Sequence, residues 1–196
     1  MGNVLIGFDH DVIMNKYSLN EEDKLLVRQE LFLSEDWKLH DLGILDEQQL
    51  YLRTAARLPK HLHAVLKELV FHWHDPILPI KGMAELIRQL KQEGLKIYLL
   101  SNAGKDQKGY WDRIPGSEYF DGSVVSAFEG CIKPDRKIYE ILLSRYELVP
   151  EECLFIDDME ENLETAADLG MMIYRFDGDL EKLNEYFLKN KGEKIC

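Results

Sequence analysis

A chain of 196 residues has room for one mid-sized domain, or for a core domain carrying a small insertion. With 45% hydrophobic and 31% charged residues it has the make-up of an ordinary soluble globular protein, and its formal net charge of -12 argues against nucleic acid or an anionic membrane as the main partner. An anionic substrate would have to be drawn in by local cations or a metal, against the overall field.

Residues 1–8 (MGNVLIGF) are apolar and β-prone, punctuated by Gly2 and Gly7. From about Asn20 to His74 the chain reads as one helix after another. Asn20 followed by Glu21, Glu22 and Asp23 is a good helix start, and Leu25, Leu26, Leu31 and Phe32 roughly keep the helical period. Asp46 can cap a helix running to Arg57, and Pro59 opens another to about Trp73. After Pro76 and Pro79, helices alternate with strands. Met83–Glu93 is amphipathic and stops at Gly94; Lys96–Leu100 is an apolar run suited to a strand buried on both faces. Ser123–Phe128 reads as a weaker strand, Pro134–Tyr146 as a helix and Cys153–Ile156 as a third strand. Asn162–Leu169 is then a helix stopped by Gly170, Met171–Phe176 a strand and Leu180–Leu188 a terminal helix. Such alternation predicts a parallel sheet with right-handed crossovers, and ligands in such sheets sit beyond the carboxyl ends of the strands. Cys131, Cys153 and Cys196 are odd in number and show no CxxC pairing, so reduced thiols are expected. No apolar run is long enough to span a bilayer and no signal peptide is legible, so the expected location is the cytoplasm.

The strand ends carry the chemistry. One ends in Ser101-Asn102, a hydroxyl and an amide; another ends in Asp157-Asp158, two carboxylates whose repulsion beside an apolar sheet calls for a cation. A hard divalent ion with oxygen ligands, Mg²⁺, suits them. Between the two, Lys133-Pro134-Asp135 puts a lysine, a common phosphate ligand, at the mouth of a helix. Each piece has a plainer reading: a turn for Ser101-Asn102, a solvated surface residue for Lys133, a helix cap for Asp157-Asp158. Their order and placement at successive strand ends favour a site.

LLSN, KPDRKIYE and FIDDMEENLETAADLGM resemble motifs two, three and four of the haloacid dehalogenase superfamily, over most of the chain. The bacterial subgroup that includes α-D-glucose-1-phosphate phosphatases is especially similar. That resemblance implies an α/β Rossmann-like parallel sheet with an inserted helical cap, with residues 1–10 and 79–196 forming the core and 11–78 the cap. It implies that Ser101 and Lys133 hold the transferring phosphoryl group, with Asn102 assisting and Asn162 as a positioning residue. It further implies that Asp157 and Asp158, with the carbonyl of Gly2, hold Mg²⁺. The implied activity is hydrolysis of a small phosphorylated metabolite.

The family's first motif is a strand ending in an aspartate that attacks phosphorus, forming an aspartyl-phosphate that water clears. Phe8-Asp9-His10-Asp11 resembles it locally, but Val12 stands where a glycine normally follows. Alternatively, Gly2-Asn3-Val4-Leu5-Ile6 matches the subgroup's x-Gly-Asn-Val-Leu-Ile and keeps the spacing to the cap. The second alignment is favoured; it puts the nucleophile immediately before Met1 and leaves the first core strand missing from the N-terminus. Val4–Phe8 sliding in as a substitute, with Asp9 near the site, is a minor alternative. Gly2 then stands where relatives keep a general acid. Losing such an acid costs about 10²–10⁴-fold, a penalty smaller for a good leaving group such as the anomeric oxygen of a sugar 1-phosphate.

Lesser signals remain. His61, His63, His72 and His74 form two HxH pairs, which on a helix point to different faces and make a poor metal site. Trp37, Trp73 and Trp111 read as core or cap-interface residues, one of which, with His40, could line the substrate pocket; Tyr110-Trp111 is a similar candidate. The rival readings are a catalytically dead binding or regulatory protein that kept the fold, and a haloacid dehalogenase proper, which needs no metal and which Asp157-Asp158 speaks against.

Overall fold

The computed structural model describes residues 1–190; Cys196 lies outside the described residues. Helix starts follow from local chemistry. Asp9 caps α1 (His10–Met14), accepting from the N–H groups of Asp11 and Val12. Asn20 caps α2 (Glu21–Val27), which runs on as a π-helical turn over Arg28–Phe32. Ser34 caps α3 (Glu35–Asp41), and Asp46 with Gln49 forms a reciprocal capping box on α4 (Glu47–Ala55). The helix expected from Pro59 to Trp73 is instead a short 3₁₀ turn, Lys60–Leu62, followed by α5 (His63–Phe71). These helices close over a core of their own that includes Met14, Val27, Leu31, Leu50, Leu66 and Leu69, all essentially buried.

The rest of the chain is α/β. In order come α6 (Met83–Gln92), β1 (Tyr98–Ser101), α7 (Gln107–Tyr110), β2 (Gly122–Val125), α8 (Ser126–Glu129), α9 (Arg136–Arg145), β3 (Leu154–Asp157), α10 (Glu160–Asp168), β4 (Met172–Arg175) and α11 (Leu180–Lys189). β1 pairs in parallel with β2, Ser101 opposite Val125, and β3 pairs in parallel with β4, Asp157 opposite Arg175. The strand expected over Ser123–Phe128 stops at Val125. Ser126 there gives up strand geometry because its buried hydroxyl donates to the carbonyl of Asp41 at 2.6 Å and accepts from the N–H of Ala103 at 3.0 Å. One hydroxyl thereby ties the helical region to the β1 loop.

Among the described residues, β1 and β3 have no second strand neighbour; the two pairs form separate two-stranded sheets. Between them lies an apolar cavity of about 190 Å³, walled by Leu99 and Leu100 on one side and Phe155 and Ile156 on the other. Residues 4–8 do not fill it. The carbonyl of Met1 accepts from the N–H groups of Val4, Leu5 and Ile6, and Asn3 adopts a left-handed φ of 56°. The chain therefore curls, and pairs instead with the segment before α6, through Gly7 N–H to Leu78 O at 2.7 Å and Ile80 N–H to Leu5 O at 2.9 Å. This corrects the substitute-strand alternative: Val4–Phe8 is no strand, and the carboxylate of Asp9 is committed to capping α1.

An aromatic seam joins the helical region to the α/β region. Phe8 lies 6.0 Å from Trp37 and 5.0 Å from Trp73 between ring centroids, and Trp73 stands edge-on to Tyr110 at 5.5 Å. No helix among the described residues is long and apolar enough to cross a membrane.

Candidate active site

The loops leaving β1 and β3 meet at Lys133. Its Nζ donates to Oδ2 of Asp157 at 2.6 Å, and both side chains are almost wholly buried. Its backbone is clasped by Asn102, whose amide donates to the Lys133 carbonyl at 3.0 Å and accepts from the Lys133 N–H at 2.8 Å. Asn102 thus sets the height of the lysine relative to the end of β1. The other oxygen of Asp157 accepts from Nδ2 of Asn162 at 2.9 Å and from the N–H of Met159 at 3.0 Å. Burial alone would raise the carboxyl pKa of Asp157, but the charge and hydrogen bond of Lys133, with Asn162 and Met159, outweigh it and hold the group below its ordinary value. Ser101 is buried on the same loop as Asn102, with its hydroxyl donating to the Asn102 carbonyl at 3.3 Å.

Asp158 bonds to the N-terminal turn. Its Oδ2 accepts from Nδ2 of Asn3 at 3.0 Å, while Oδ1 of Asn3 accepts from the N–H of Phe8 at the same distance. Asn3 has no site role in the sequence reading, where it enters only through the Gly2-Asn3-Val4-Leu5-Ile6 match. A local signal that could have found it is that asparagine tolerates the left-handed backbone it adopts here. Gly2 sits inside that turn, where an added Cβ would press on the Cβ of Phe8 at 3.0 Å. The amine of Met1 is buried beside Lys133, Asp157 and Asp158. Burial first, then the lysine charge, bring its pKa down to about 5, against the opposing pull of the two carboxylates. The N-terminal turn therefore reaches the same point as the three loop tips.

The helical region contributes a second polar group of residues. Nε2 of His40 lies 3.5 Å from Oδ1 of Asp106, both side chains being buried, and Lys105 donates to the carbonyl of Gly43 at 2.9 Å. The carboxyl of Asp41 is pushed up to about 7 by burial and by Asp106. Trp37 packs on Phe8 and His40, whereas Trp111 packs on Phe120 in the α/β core. Three of the four HxH histidines have separate partners: His61 with Asp23, His63 with the Leu58 carbonyl, His74 with Arg113.

Among the described residues no three His, Cys, Asp or Glu side chains gather into a metal cage. What the site offers is two adjacent carboxylates on one loop, plus a buried acceptor, Oδ1 of Asn162, without a hydrogen-bond partner. That set fits Mg²⁺, which is commonly held by one or two carboxylates and completes its shell with water and phosphate oxygens.

The sequence profile of the haloacid dehalogenase-like hydrolases matches residues 14–170. The chain belongs to this family of hydrolases. Among curated relatives of this haloacid dehalogenase-like hydrolase, a sesquiterpene phosphatase of Aspergillus oryzae is 28% identical over 149 residues, covering 71% of each chain. Acyl-CoA dehydrogenase family member 10 of Mus musculus is 35% identical over 95 residues, but those are 48% of this chain and only 9% of that protein. In fold, the chain is similar to a haloacid dehalogenase family enzyme of Bacteroides thetaiotaomicron, solved with magnesium and inorganic phosphate, at a TM-score of 0.69, 19% identity and coverage of 93% and 95%. A predicted hydrolase of the family from Porphyromonas gingivalis gives a TM-score of 0.74 at 19% identity, covering 95% of this chain and 94% of its own.

Proposed function

We propose that this hydrolase is a Mg²⁺-dependent phosphatase acting on a small phosphorylated metabolite, with a sugar 1-phosphate as the preferred class. The observation that carries the reading is the meeting of Asn102, Lys133 and Asp157 in one buried network, with Asp158 beside it. In this reading Lys133 and Ser101 hold the phosphoryl oxygens, Asn102 and Asn162 fix the lysine and Asp157 in place, and residues 11–78 cover the site as a cap. Asp157, Asp158 and the carbonyl of Gly2 hold Mg²⁺, which supplies positive charge to a phosphoryl group entering a chain of net charge -12. The attacking carboxylate belongs to an aspartate joined immediately before Met1. It attacks phosphorus, forming an acyl phosphate as the bond from phosphorus to the sugar oxygen breaks and that oxygen takes a proton from solvent; water then cleaves the mixed anhydride, releasing inorganic phosphate and a proton and restoring the carboxylate. The magnesium–phosphate complex of the Bacteroides enzyme and the phosphatase name of the Aspergillus relative both support the reaction class.

One observation favours a second reading, a binding protein without turnover: Asp157 is held by Lys133 and Asn162, and Asp9 caps a helix. A single comparison separates the two. Phosphate release from sugar 1- and 6-phosphates is measured for the chain as it stands and for versions carrying an apolar strand ending in Phe-Asp or Phe-Asn before Met1. The phosphatase reading expects release with Phe-Asp only, faster from the 1-phosphate and abolished by EDTA. Absence of Mg²⁺-dependent release from every ester by the Phe-Asp version overturns it.

A further inference from the structure

The crevice where the helical region meets the loop after β1 holds more negative charge than its own residues offset. Asp41 ends α3, Glu47 begins α4 and Asp106 precedes α7. Burial and then the charge of Asp106 raise the carboxyl pKa of both Asp41 and Glu47; burial and then all three carboxylates raise that of the Tyr110 hydroxyl. Among the described residues, no lysine or arginine lies within ion-pair distance of any of the three. Lys105 donates to the Gly43 carbonyl instead, and Arg113 pairs with Asp75.

Two side chains in this crevice carry unanswered atoms. Asp106 stands at the N-cap position of α7 but makes no capping bond. Its side chain is 9% exposed, and its Oδ1, 3.5 Å from Nε2 of His40, has no hydrogen-bond partner. His40, equally buried, leaves its Nδ1 unpaired. Both press on Gly104, where an added Cβ would overlap the His40 ring and Oδ1 of Asp106. Buried polar atoms ordinarily find partners, so the pair calls for a ligand that can donate. A metal ion suits the place poorly, because no three acidic, histidine or cysteine side chains among the described residues gather into a cage. An ammonium suits it better. It brings one compact charge with three donors, and aromatic rings such as Trp37, 6.0 Å from His40, favour a cation beside them.

The crevice adjoins the site already described. Asp106 lies four residues beyond Asn102, so their Cα atoms are at most about 14 Å apart, and Asn102 clasps Lys133. We propose that the leaving-group end of the site receives a protonated amine. The substrate is then a zwitterionic phosphate monoester, of which an amino sugar phosphate is one form, with its phosphoryl group at Lys133 and its ammonium among Asp41, Glu47 and Asp106. Opposite charges at the two ends fix the direction in which the ester lies. The phosphoryl end rests on the phosphatase reading above.

The test reads binding and does not depend on turnover. The full chain with Mg²⁺ is titrated in a calorimeter with inorganic phosphate and with two matched pairs of esters: glucosamine 1-phosphate against glucose 1-phosphate, and 2-aminoethyl phosphate against 2-hydroxyethyl phosphate. In at least one pair the amine is expected to bind about ten-fold tighter or more. Asp106→Asn should bring the amine down to the affinity of its hydroxyl partner, which serves as the control for folding. Glu47→Gln should erode the same preference, and it decides the matter if the Asp106 variant does not fold. Equal affinities within both pairs, while inorganic phosphate binds, overturn this inference and leave the phosphatase reading standing. A preference that survives both substitutions also overturns it. Failure of inorganic phosphate and of all four esters to bind removes the phosphatase reading and this inference together.

Discussion

The Nζ of Lys133 and Oδ2 of Asp157 are 2.6 Å apart, with both side chains all but sealed from solvent. A pair so placed is poor evidence of stability, because desolvating two charges offsets much of their attraction, but it is costly to break on one side. It also keeps a cation waiting, already neutralised, at the point where an anionic group would arrive.

Replacing Lys133 alone by methionine strands the carboxylate of Asp157, which keeps only Asn162 and the Met159 N–H. The expected loss is about 3–5 kcal/mol in urea denaturation at neutral pH. The double change K133M/D157L should recover most of it. A single substitution as stable as the parent would show that the pair is open in solution.

Asp158 has one side-chain partner in the network, Asn3. Asp158→Ala should leave the fold intact, within about 1 kcal/mol. Millimolar Mg²⁺ should raise the thermal midpoint of the parent but not of the variant. Equal stabilisation of both would remove Asp158 from the metal site.

Asp41 sets a pH dependence. Its carboxyl, pushed up to about 7 by burial and Asp106, keeps a proton in the folded chain that the unfolded chain releases near 3.8. Unfolding therefore releases protons between those values, and stability falls as pH rises from about 4 to 7 and levels off above. Asp41→Asn should flatten that slope by an amount on the order of a few kcal/mol across the window, read from urea midpoints at successive pH values. An unchanged slope would mean that the carboxyl is hydrated.

The joint between the helical and α/β regions should be sensitive to single atoms. Ser126→Ala leaves the Asp41 carbonyl and the Ala103 N–H without their partner, at a cost of about 1–3 kcal/mol. Gly43→Ala should cost more, since Gly43 has a φ of 70° and an added Cβ would collide with the backbone carbonyl of Ala127. Differential scanning calorimetry that ranked Gly43→Ala as the milder change would contradict the packing described.

Much of this architecture could be read from local pattern. β1 and β3 announce themselves as short apolar runs, and Asn20 and Asp46 cap the helices their chemistry predicts. Of the residues flagged near the strand ends, Asn102, Lys133, Asp157 and Asn162 are linked in one chain of hydrogen bonds, whereas Ser101 bonds to the Asn102 carbonyl and Asp158 to Asn3. What escaped depends on geometry that no window of sequence carries. The bond from Asn3 to Asp158 spans 155 positions and needs a left-handed backbone. Ser126 looks like the middle of a strand until the Asp41 carbonyl arrives from the other region to claim its hydroxyl. Asp9 in a D-x-D setting resembles a nucleophile, yet two nearby amides capture it as a cap.

The aromatic seam has a practical consequence. Trp37 and Trp73 flank Phe8, and Trp73 also meets Tyr110 across the joint, while Trp111 is set apart against Phe120. Any rocking of the helices over the sheet must change the surroundings of the first two indoles and leave the third nearly untouched. Were the helical region to move over the sheet, Trp37 and Trp73 would report it by their emission, against Trp111 as an internal standard and without an attached dye.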